Sequence, residues 1–204
     1  MVDRLIAERR GITIVVLDTK ALPEERPAPE TTPSADETHR GLKKNRGFGL
    51  ECDAALSRAT AFVWEEPVEK EEAIRRLLDS CRGVGKRLRE SAWESVLERE
   101  RQGGTFVGED AAIPHARIAG ISRSQIAMAV SRAGIQDREA GRGARIMILL
   151  LSSAEPPEIH LEMLGLISRM VRDDRWREDA LAAGKPADIM SAIRRWKADR
   201  RNSN

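Results

Sequence analysis

The sequence has few aromatic residues and little net charge, and both shortages argue against a nucleic-acid-binding protein. Phe and Trp make up 3% of the 204 residues and Tyr is absent, so the stacking surfaces that bind single strands are missing. Lys and Arg number 35 against 33 Asp and Glu, a formal net charge of +2 without the basic excess that such proteins usually show. We therefore expect no nucleic acid among the partners.

Cysteines and long apolar runs are also scarce, which bears on the compartment. Cys52 and Cys81 are far apart and form no C-x-x-C pair, so nothing indicates an oxidising environment. No apolar run approaches the roughly 20 residues that cross a bilayer. The first residues lack the charged-then-apolar layout of a secretion signal. We expect a cytoplasmic protein without direct membrane insertion.

Residues 1–50 form an N-terminal extension in this interpretation. The β-branched apolar run at 12–17 predicts a strand. Residues 19–50 are rich in proline and polar side chains and end in a basic cluster, a composition that cannot bury enough apolar surface to offset its ordering entropy. The sequence therefore predicts an orphan strand followed by a disordered linker.

Residues 51–204 are patterned as one α/β domain. Strands are predicted at 61–64, at about 126–130 with one face in water, and at 144–151, where the continuous apolar run is typical of a central strand covered on both faces. Apolar residues at helical spacing predict five helices: 67–81 before Gly83, about 88–102, from 156 onward, about 174–183 and 186–200. The stretch 105–117 is predicted to be irregular. The alternation predicts a mixed central β-sheet flanked by helices on both faces.

Two histidines and one arginine are the candidate functional residues. His115 follows Pro114, so it sits on a stiff approach, and a titratable imidazole on a rigid loop is typical of a functional position. A half-exposed structural histidine is the alternative. His160 falls in the first turn of the helix that begins near 156, at the edge of its buried face, where a structural histidine is the simpler interpretation. Arg99 with Glu100 closes another helix and is also compatible with a solvated helix end.

Taken together, these residues resemble a known family. The elements are an Arg-Glu pair, a threonine, a glycine turn, a Pro-His dipeptide and a second histidine on a later helix, here at Arg99-Glu100, Thr105, Gly108, Pro114-His115 and His160. They resemble the enzyme IIA domain of the phosphoenolpyruvate-dependent sugar phosphotransferase system, of the fructose–mannitol type that includes the nitrogen-regulatory branch. The resemblance covers about 58–200, and the sixteen-residue separation of Arg99 and His115 fits the motif.

The resemblance implies a phosphohistidine relay. His115 would accept a phosphoryl group from a histidine phosphocarrier protein and pass it to a IIB-type partner or hold it as a signal for a regulated target. Arg99 would pair with the phosphate oxygens through its forked guanidinium, and His160 would stabilise the transferred group by a hydrogen bond. Thr105 would either donate its hydroxyl to the phosphate or hold the loop. No cofactor and no metal are implied.

One departure and two alternatives accompany this interpretation. Glu109 and Asp110 stand where family members have glycine-rich turns, and carboxylates that point inward would repel the incoming group. The first alternative is a non-transport regulatory module of the same fold, attached to a transporter or another protein and acting through protein–protein contacts, which the N-terminal extension favours. The second is a metal- or small-ligand-binding domain that uses His115 and His160.

Overall fold

The computed structural model describes residues 49–202, apart from residues 104, 109 and 139. The strand predicted at 12–17 and nearly all of the predicted linker lie outside these residues. In chain order the described elements are α1 (49–57), β1 (Thr60–Trp64), β2 (Val68–Glu69), α2 (Lys70–Ser80), α3 (Lys86–Arg101), β3 (Ala111–Ala112), β4 (His115–Ile118), β5 (Gln125–Asp137), β6 (Arg142–Ser153), α4 (Pro157–Arg172), α5 (Asp174–Leu181) and α6 (Pro186–Asn202).

The described strands form one mixed sheet around the antiparallel pair β5 and β6. Strands β1 and β2 lie beside β5 and run parallel to it, while β3 and β4 lie beside β6 and run parallel to that strand. Because β4 pairs with β6 alone, it forms an edge of the sheet that helices on either face can reach. The α/β class and the mixed sheet are confirmed.

The apolar run of β6 is explained by helices on both faces. Ile146, Ile148 and Leu150 pack in a core with residues of α1, α4, α5 and α6. The alternating residues Met147 and Leu149 pack in a second core with α2 and α3. Side chains on a strand alternate between faces, so a strand buried on both sides needs apolar residues at every position. The predicted central strand is confirmed.

Strand β5 corrects one prediction from the sequence. Its alternating small residues indicated a face in water, but Ala127 and Ala129 are fully buried against α2 and α3, while Met128 is buried on the opposite face. Alanine is small enough to let a helix pack closely on the sheet, so it marks a tight interface here and not an exposed face.

Several element boundaries also differ from the predictions. Residues 49 and 50, assigned to the linker, belong to α1, whose buried side chains Cys52, Ala55 and Leu56 have helical spacing that the pattern analysis missed. Helix α2 spans Lys70–Ser80, shorter than the predicted 67–81, because Val68 and Glu69 pair with β5 as strand β2, and it ends before Gly83. The backbone N–H of Gly83 donates to Gln125 Oε1 at 3.1 Å, in a contact so close that a Cβ on Gly83 would overlap the Gln125 side chain.

The stretch 105–117 is more ordered than predicted. It contains β3 and the beginning of β4, so His115 is the first residue of a strand and pairs with Leu150 of β6. The carbonyl of Pro114 accepts a hydrogen bond from the Leu150 N–H at 2.9 Å. His115 is therefore held by the sheet and not by a loop.

None of the helices in the described part of the chain combines the length and the hydropathy that a membrane span requires.

Candidate active site

Three of the four predicted site residues meet in one cleft at the β4 edge of the sheet. The cleft has a volume of about 390 Å³. Arg99 reaches it from the last turn of α3, His115 from the start of β4, and His160 from the first turn of α4. Gln102, Arg117 and Glu155 also line it. The edge position of β4 explains the convergence, because helices from opposite faces of the sheet contact the same strand.

The hydrogen bonds of His115 define its tautomer. Nδ1 lies 2.7 Å from the carbonyl oxygen of Ile113, an acceptor that requires the proton to be on Nδ1. Nε2 is then unprotonated, and it accepts a hydrogen bond from Nε of Arg99 at 3.2 Å. The ring therefore presents an electron pair on Nε2 toward the cleft, with a guanidinium beside it.

The surroundings of His115 also favour its neutral form. Burial lowers the pKa of His115 below its usual value, and the positive charge of Arg99 lowers it further. The hydrogen bond to Ile113 and the charge of Glu100 act in the opposite direction but are outweighed. A neutral imidazole at physiological pH is a competent nucleophile, whereas an imidazolium is not.

His160 lies beside His115, with the ring centroids 5.4 Å apart. It is buried, and its Nδ1 lies 2.7 Å from the hydroxyl oxygen of Ser152 at the end of β6. Burial lowers the pKa of His160 to about 4, and the neighbouring His115, Arg117 and Arg99 further disfavour its protonated form. The second histidine is therefore neutral as well. Ser152 was not predicted from the sequence.

The buried neutral His160 makes stability depend on pH. Its pKa is about 4 when folded against an ordinary value of 6.5, so the unfolded chain binds a proton at pH 5 that the folded chain does not. The contribution of His160 to the free energy of unfolding therefore keeps its full value above pH 6.5 and decreases as the pH falls toward 4. We expect the stability advantage of the native protein over a His160→Gln variant to shrink by about 3 kcal/mol between pH 7 and pH 4. Urea denaturation of both proteins measures this, and an advantage that does not change with pH would contradict a buried neutral His160.

Arg117 is a cleft residue that sequence reasoning missed. It lies two residues after His115 on β4 and pairs in the sheet with Ser152, the partner of His160. Its side chain is exposed and forms no ion pair with any other described residue. The signal was available, because residues i and i+2 of a strand share a face. The cleft thus has two cations, Arg99 and Arg117, beside two neutral imidazoles. The carboxylates Glu98 and Glu155 also line it, and Glu98 is paired with Arg101.

Thr105, the fourth predicted site residue, does not line the cleft. It is buried, and its hydroxyl donates to Oε1 of Glu100. Its carbonyl accepts from the Ile113 N–H at 2.9 Å, next to the carbonyl that holds His115. Of the two roles considered for Thr105, this geometry supports holding the loop.

Asp110 is turned away from the cleft. It has φ of 63°, a left-handed conformation that Asp tolerates better than most residues. Its carboxylate accepts hydrogen bonds from the backbone N–H and the guanidinium of Arg145 at the start of β6. The charge of Asp110 is therefore offset and points away from His115. Glu109 lies outside the described residues.

The described residues contain no group of three or more His, Cys, Asp or Glu side chains placed to hold a metal ion. His115 and His160 alone supply two nitrogen ligands, and both face arginines whose charge disfavours a bound cation. The arrangement is suited to an anion with several oxygens, because guanidinium groups donate to phosphate and carboxylate oxygens in parallel pairs.

Fold and cleft together define an α/β domain that presents a neutral histidine pair and arginines at the edge of a mixed sheet. Comparison with known proteins identifies its family. The model of the family described as "Phosphoenolpyruvate-dependent sugar phosphotransferase system, EIIA 2" matches residues 56–196. The chain belongs to this family, and the resemblance deduced from the sequence is confirmed.

Curated relatives agree with this assignment. The chain is 36% identical to the fructose-specific EIIA component of Haloferax volcanii over 131 residues, which cover 63% of this chain and 85% of that protein. It is 30% identical to the fructose-specific EIIABC component of Bacillus subtilis over 141 residues, 68% of this chain. The match spans only 22% of that longer protein.

Solved structures share the fold. The nitrogen regulatory protein IIA-Ntr of Neisseria meningitidis has a TM-score of 0.57 at 20% identity, covering 68% of this chain and 94% of that one. The mannitol IIA of Escherichia coli has a TM-score of 0.51 at 16% identity, covering 66% and 95%. A complex of enzyme IIA and phosphorylated enzyme IIB for mannitol, also from Escherichia coli, has a TM-score of 0.53 at 17% identity, covering 66% and 94%.

Proposed function

We propose that this chain is a phosphohistidine relay in which Nε2 of His115 accepts a phosphoryl group from a histidine phosphocarrier protein. One observation carries the proposal. Nδ1 of His115 is committed to the Ile113 carbonyl, which leaves Nε2 unprotonated beside the Arg99 guanidinium in an open cleft. A nucleophilic nitrogen next to a fixed cation is what transfer of a phosphoryl group requires.

The transfer exchanges one phosphorus–nitrogen bond for another. The electron pair on Nε2 of His115 attacks phosphorus, and the bond to the donor histidine breaks, with its electron pair staying on the donor nitrogen. Positive charge builds on the His115 ring, where the Ile113 carbonyl stabilises the Nδ1–H. The guanidinium of Arg99 moves from Nε2 to the phosphoryl oxygens, where its remaining donors offset their negative charge.

His160 and Arg117 complete the oxygen-binding side of the cleft in this proposal. When the Ser152 hydroxyl donates to Nδ1 of His160, the single proton of the neutral ring is on Nε2. That N–H is then available to a phosphoryl oxygen. Arg117 supplies a second positive charge at the exposed side, from which the donor protein approaches.

The partners are proposed from the family and the relatives. The curated relatives are fructose-specific components, and a structural neighbour is a mannitol IIA in complex with phosphorylated IIB. We therefore propose a histidine phosphocarrier protein as donor and a fructose-type IIB protein as acceptor, with the exchange taking place in the cytoplasm. A regulatory target in place of IIB is the alternative, because IIA-Ntr shares the fold.

Intact-mass spectrometry tests the relay. The protein is incubated with phosphoenolpyruvate, enzyme I and the histidine phosphocarrier protein, beside a reaction without enzyme I. We expect a gain of one phosphoryl group that is lost in acid and retained in alkali, as for a phosphoramidate. An unchanged mass, with the phosphocarrier shown to be charged in the same reaction, would contradict the proposal.

Addition of a purified fructose-type IIB protein then tests the acceptor. Loss of phosphate from this chain with an equal gain on IIB supports the transport role. A phosphorylated chain that persists in the presence of IIB supports the regulatory alternative.

A further inference from the structure

A buried charged cluster lies behind the cleft, and the relay mechanism does not use it. It consists of Lys70 at the start of α2, Glu100 in the last turn of α3, Thr105 after that helix, and Asp137 at the end of β5. We call this set the Glu100 cluster. The Glu100 side chain is 4% exposed and that of Lys70 is 17% exposed. Burying charged side chains to this degree costs desolvation free energy, which only pairing with opposite charges can offset.

Helix geometry makes the position of Glu100 more unusual. The carboxyl end of a helix carries partial negative charge, so an acidic side chain in the last turn is disfavoured. Glu100 is held there by two partners: Oε1 accepts from the Thr105 hydroxyl, and Oε2 lies 3.4 Å from Nζ of Lys70. Lys70 also donates to Asp137 at 2.5 Å. Burial alone would lower the pKa of Lys70, but the hydrogen bond to Asp137 and the charge of Glu100 raise it above its usual value.

The cluster connects to His115 by a continuous series of hydrogen bonds. Glu100 accepts from the Thr105 hydroxyl, and the Thr105 carbonyl accepts from the Ile113 N–H at 2.9 Å. The Ile113 carbonyl in turn accepts from Nδ1 of His115 at 2.7 Å. Along the chain, Glu100 directly follows Arg99, and the Arg99 side chain contacts Nε2 of the His115 ring. Both nitrogens of His115 are therefore oriented by elements that Glu100 anchors.

We propose that Glu100, held in place by Lys70 and Thr105, is a positioning residue that fixes Arg99 and His115 for phosphoryl transfer. The inference rests on the proposed relay and goes beyond it, because it assigns a role to side chains that never touch the phosphoryl group. The charge of Glu100 also acts on the nucleophile, since it raises the pKa of His115 against burial and Arg99.

The test uses Glu100→Gln and Thr105→Val in the full chain. Gln keeps an acceptor for Thr105 but removes the charge that pairs with Lys70, and Val removes the Thr105 hydroxyl at nearly constant shape. We expect each change to slow single-turnover phosphorylation of His115 by about 10- to 100-fold, because small misplacements of reacting groups have effects of this size. The double variant is expected to be slowed by less than the product of the two single effects, because both changes loosen the same Glu100 side chain.

Two matched controls separate positioning from general damage. Thr105→Ser keeps the hydroxyl and is expected to retain the native rate within about twofold. Glu94→Gln makes the same chemical change at an exposed position of α3 outside the cluster and is expected to do the same. Circular dichroism of each variant shows whether it folds. If Glu100→Gln does not fold, the comparison of Thr105→Val with Thr105→Ser decides.

Nitrogen NMR of the His115 ring gives a readout that does not require phosphorylation. We expect Glu100→Gln to lower the pKa of His115 and to reduce the share of the Nδ1–H tautomer, with neither change in Glu94→Gln. Unchanged ring signals and unchanged rates in folded Glu100→Gln would overturn the proposal. Additive effects of Glu100→Gln and Thr105→Val would also overturn it, since Thr105 would then act separately. If Glu100→Gln shows these NMR differences but the native protein accepts no phosphate, the positioning of His115 by Glu100 stands and the relay alone is refuted.

Discussion

Replacement of His115 by Gln is expected to abolish phosphorylation of this chain. Gln is similar in size to His and also ends in nitrogen, but an amide nitrogen has no electron pair available for attack on phosphorus. The neighbouring His160 is not expected to take over, because its Nδ1 accepts the hydrogen bond from Ser152 and its Nε2 then carries the proton of the neutral ring. Intact-mass spectrometry after incubation with the charged phosphocarrier is expected to show no gain for His115→Gln.

The matched control is His160→Gln, the same substitution 5.4 Å away in the histidine pair. It keeps the acceptor and removes only a proposed hydrogen bond to the phosphoryl group. We expect it to gain one phosphoryl group more slowly than the native protein. A phosphoryl group on the His115→Gln variant, combined with none on His160→Gln, would reverse the roles of the two histidines.

Replacement of Arg99 by Lys is expected to slow phosphorylation by about 10²- to 10³-fold, or about 3–4 kcal/mol of transition-state stabilisation. Lys keeps the positive charge, but it loses the planar fork that can donate to two phosphoryl oxygens at once. It also loses the Nε–H that contacts Nε2 of His115 at 3.2 Å. Stopped-flow or quenched-flow transfer from the phosphorylated donor measures the rate.

Arg101→Lys is the control for this change. Arg101 is in the same last turn of α3, but it is exposed and pairs with Glu98 on the surface. We expect its rate to stay within about twofold of the native protein. Equal rates for Arg99→Lys and Arg101→Lys would show that the fork and the Nε–H of Arg99 are dispensable and would leave its positive charge as its only contribution.

Sequence patterns predicted those parts of the fold whose burial leaves a local signature. The run at 144–151 is apolar at every position because both faces of β6 are covered, and periodicity shows this directly. The face of β5 that carries Ala127 and Ala129 was wrongly predicted to lie in water, because small residues do not reveal by themselves whether a helix packs on them. Helix α1 was missed because a Pro-rich, charged segment precedes it.

The candidate site was predicted where a motif names residues and missed where only three-dimensional contacts define them. The family motif identified His115, Arg99 and His160, and the structure brings these three into one cleft. Ser152 and Lys70 were not predicted, because contacts between different strands and helices leave no fixed spacing in a sequence. The tautomer of His115 is likewise a product of folding, since it depends on the carbonyl of Ile113.

The atom that carries the phosphoryl group tests the central claim most directly. Long-range proton–nitrogen NMR of the uniformly labelled, phosphorylated protein distinguishes the two ring nitrogens of each histidine. The structure predicts phosphate on Nε2 of His115, with the proton still on Nδ1 and bonded to Ile113. Phosphate on Nδ1 of His115, or on either nitrogen of His160, would contradict the account.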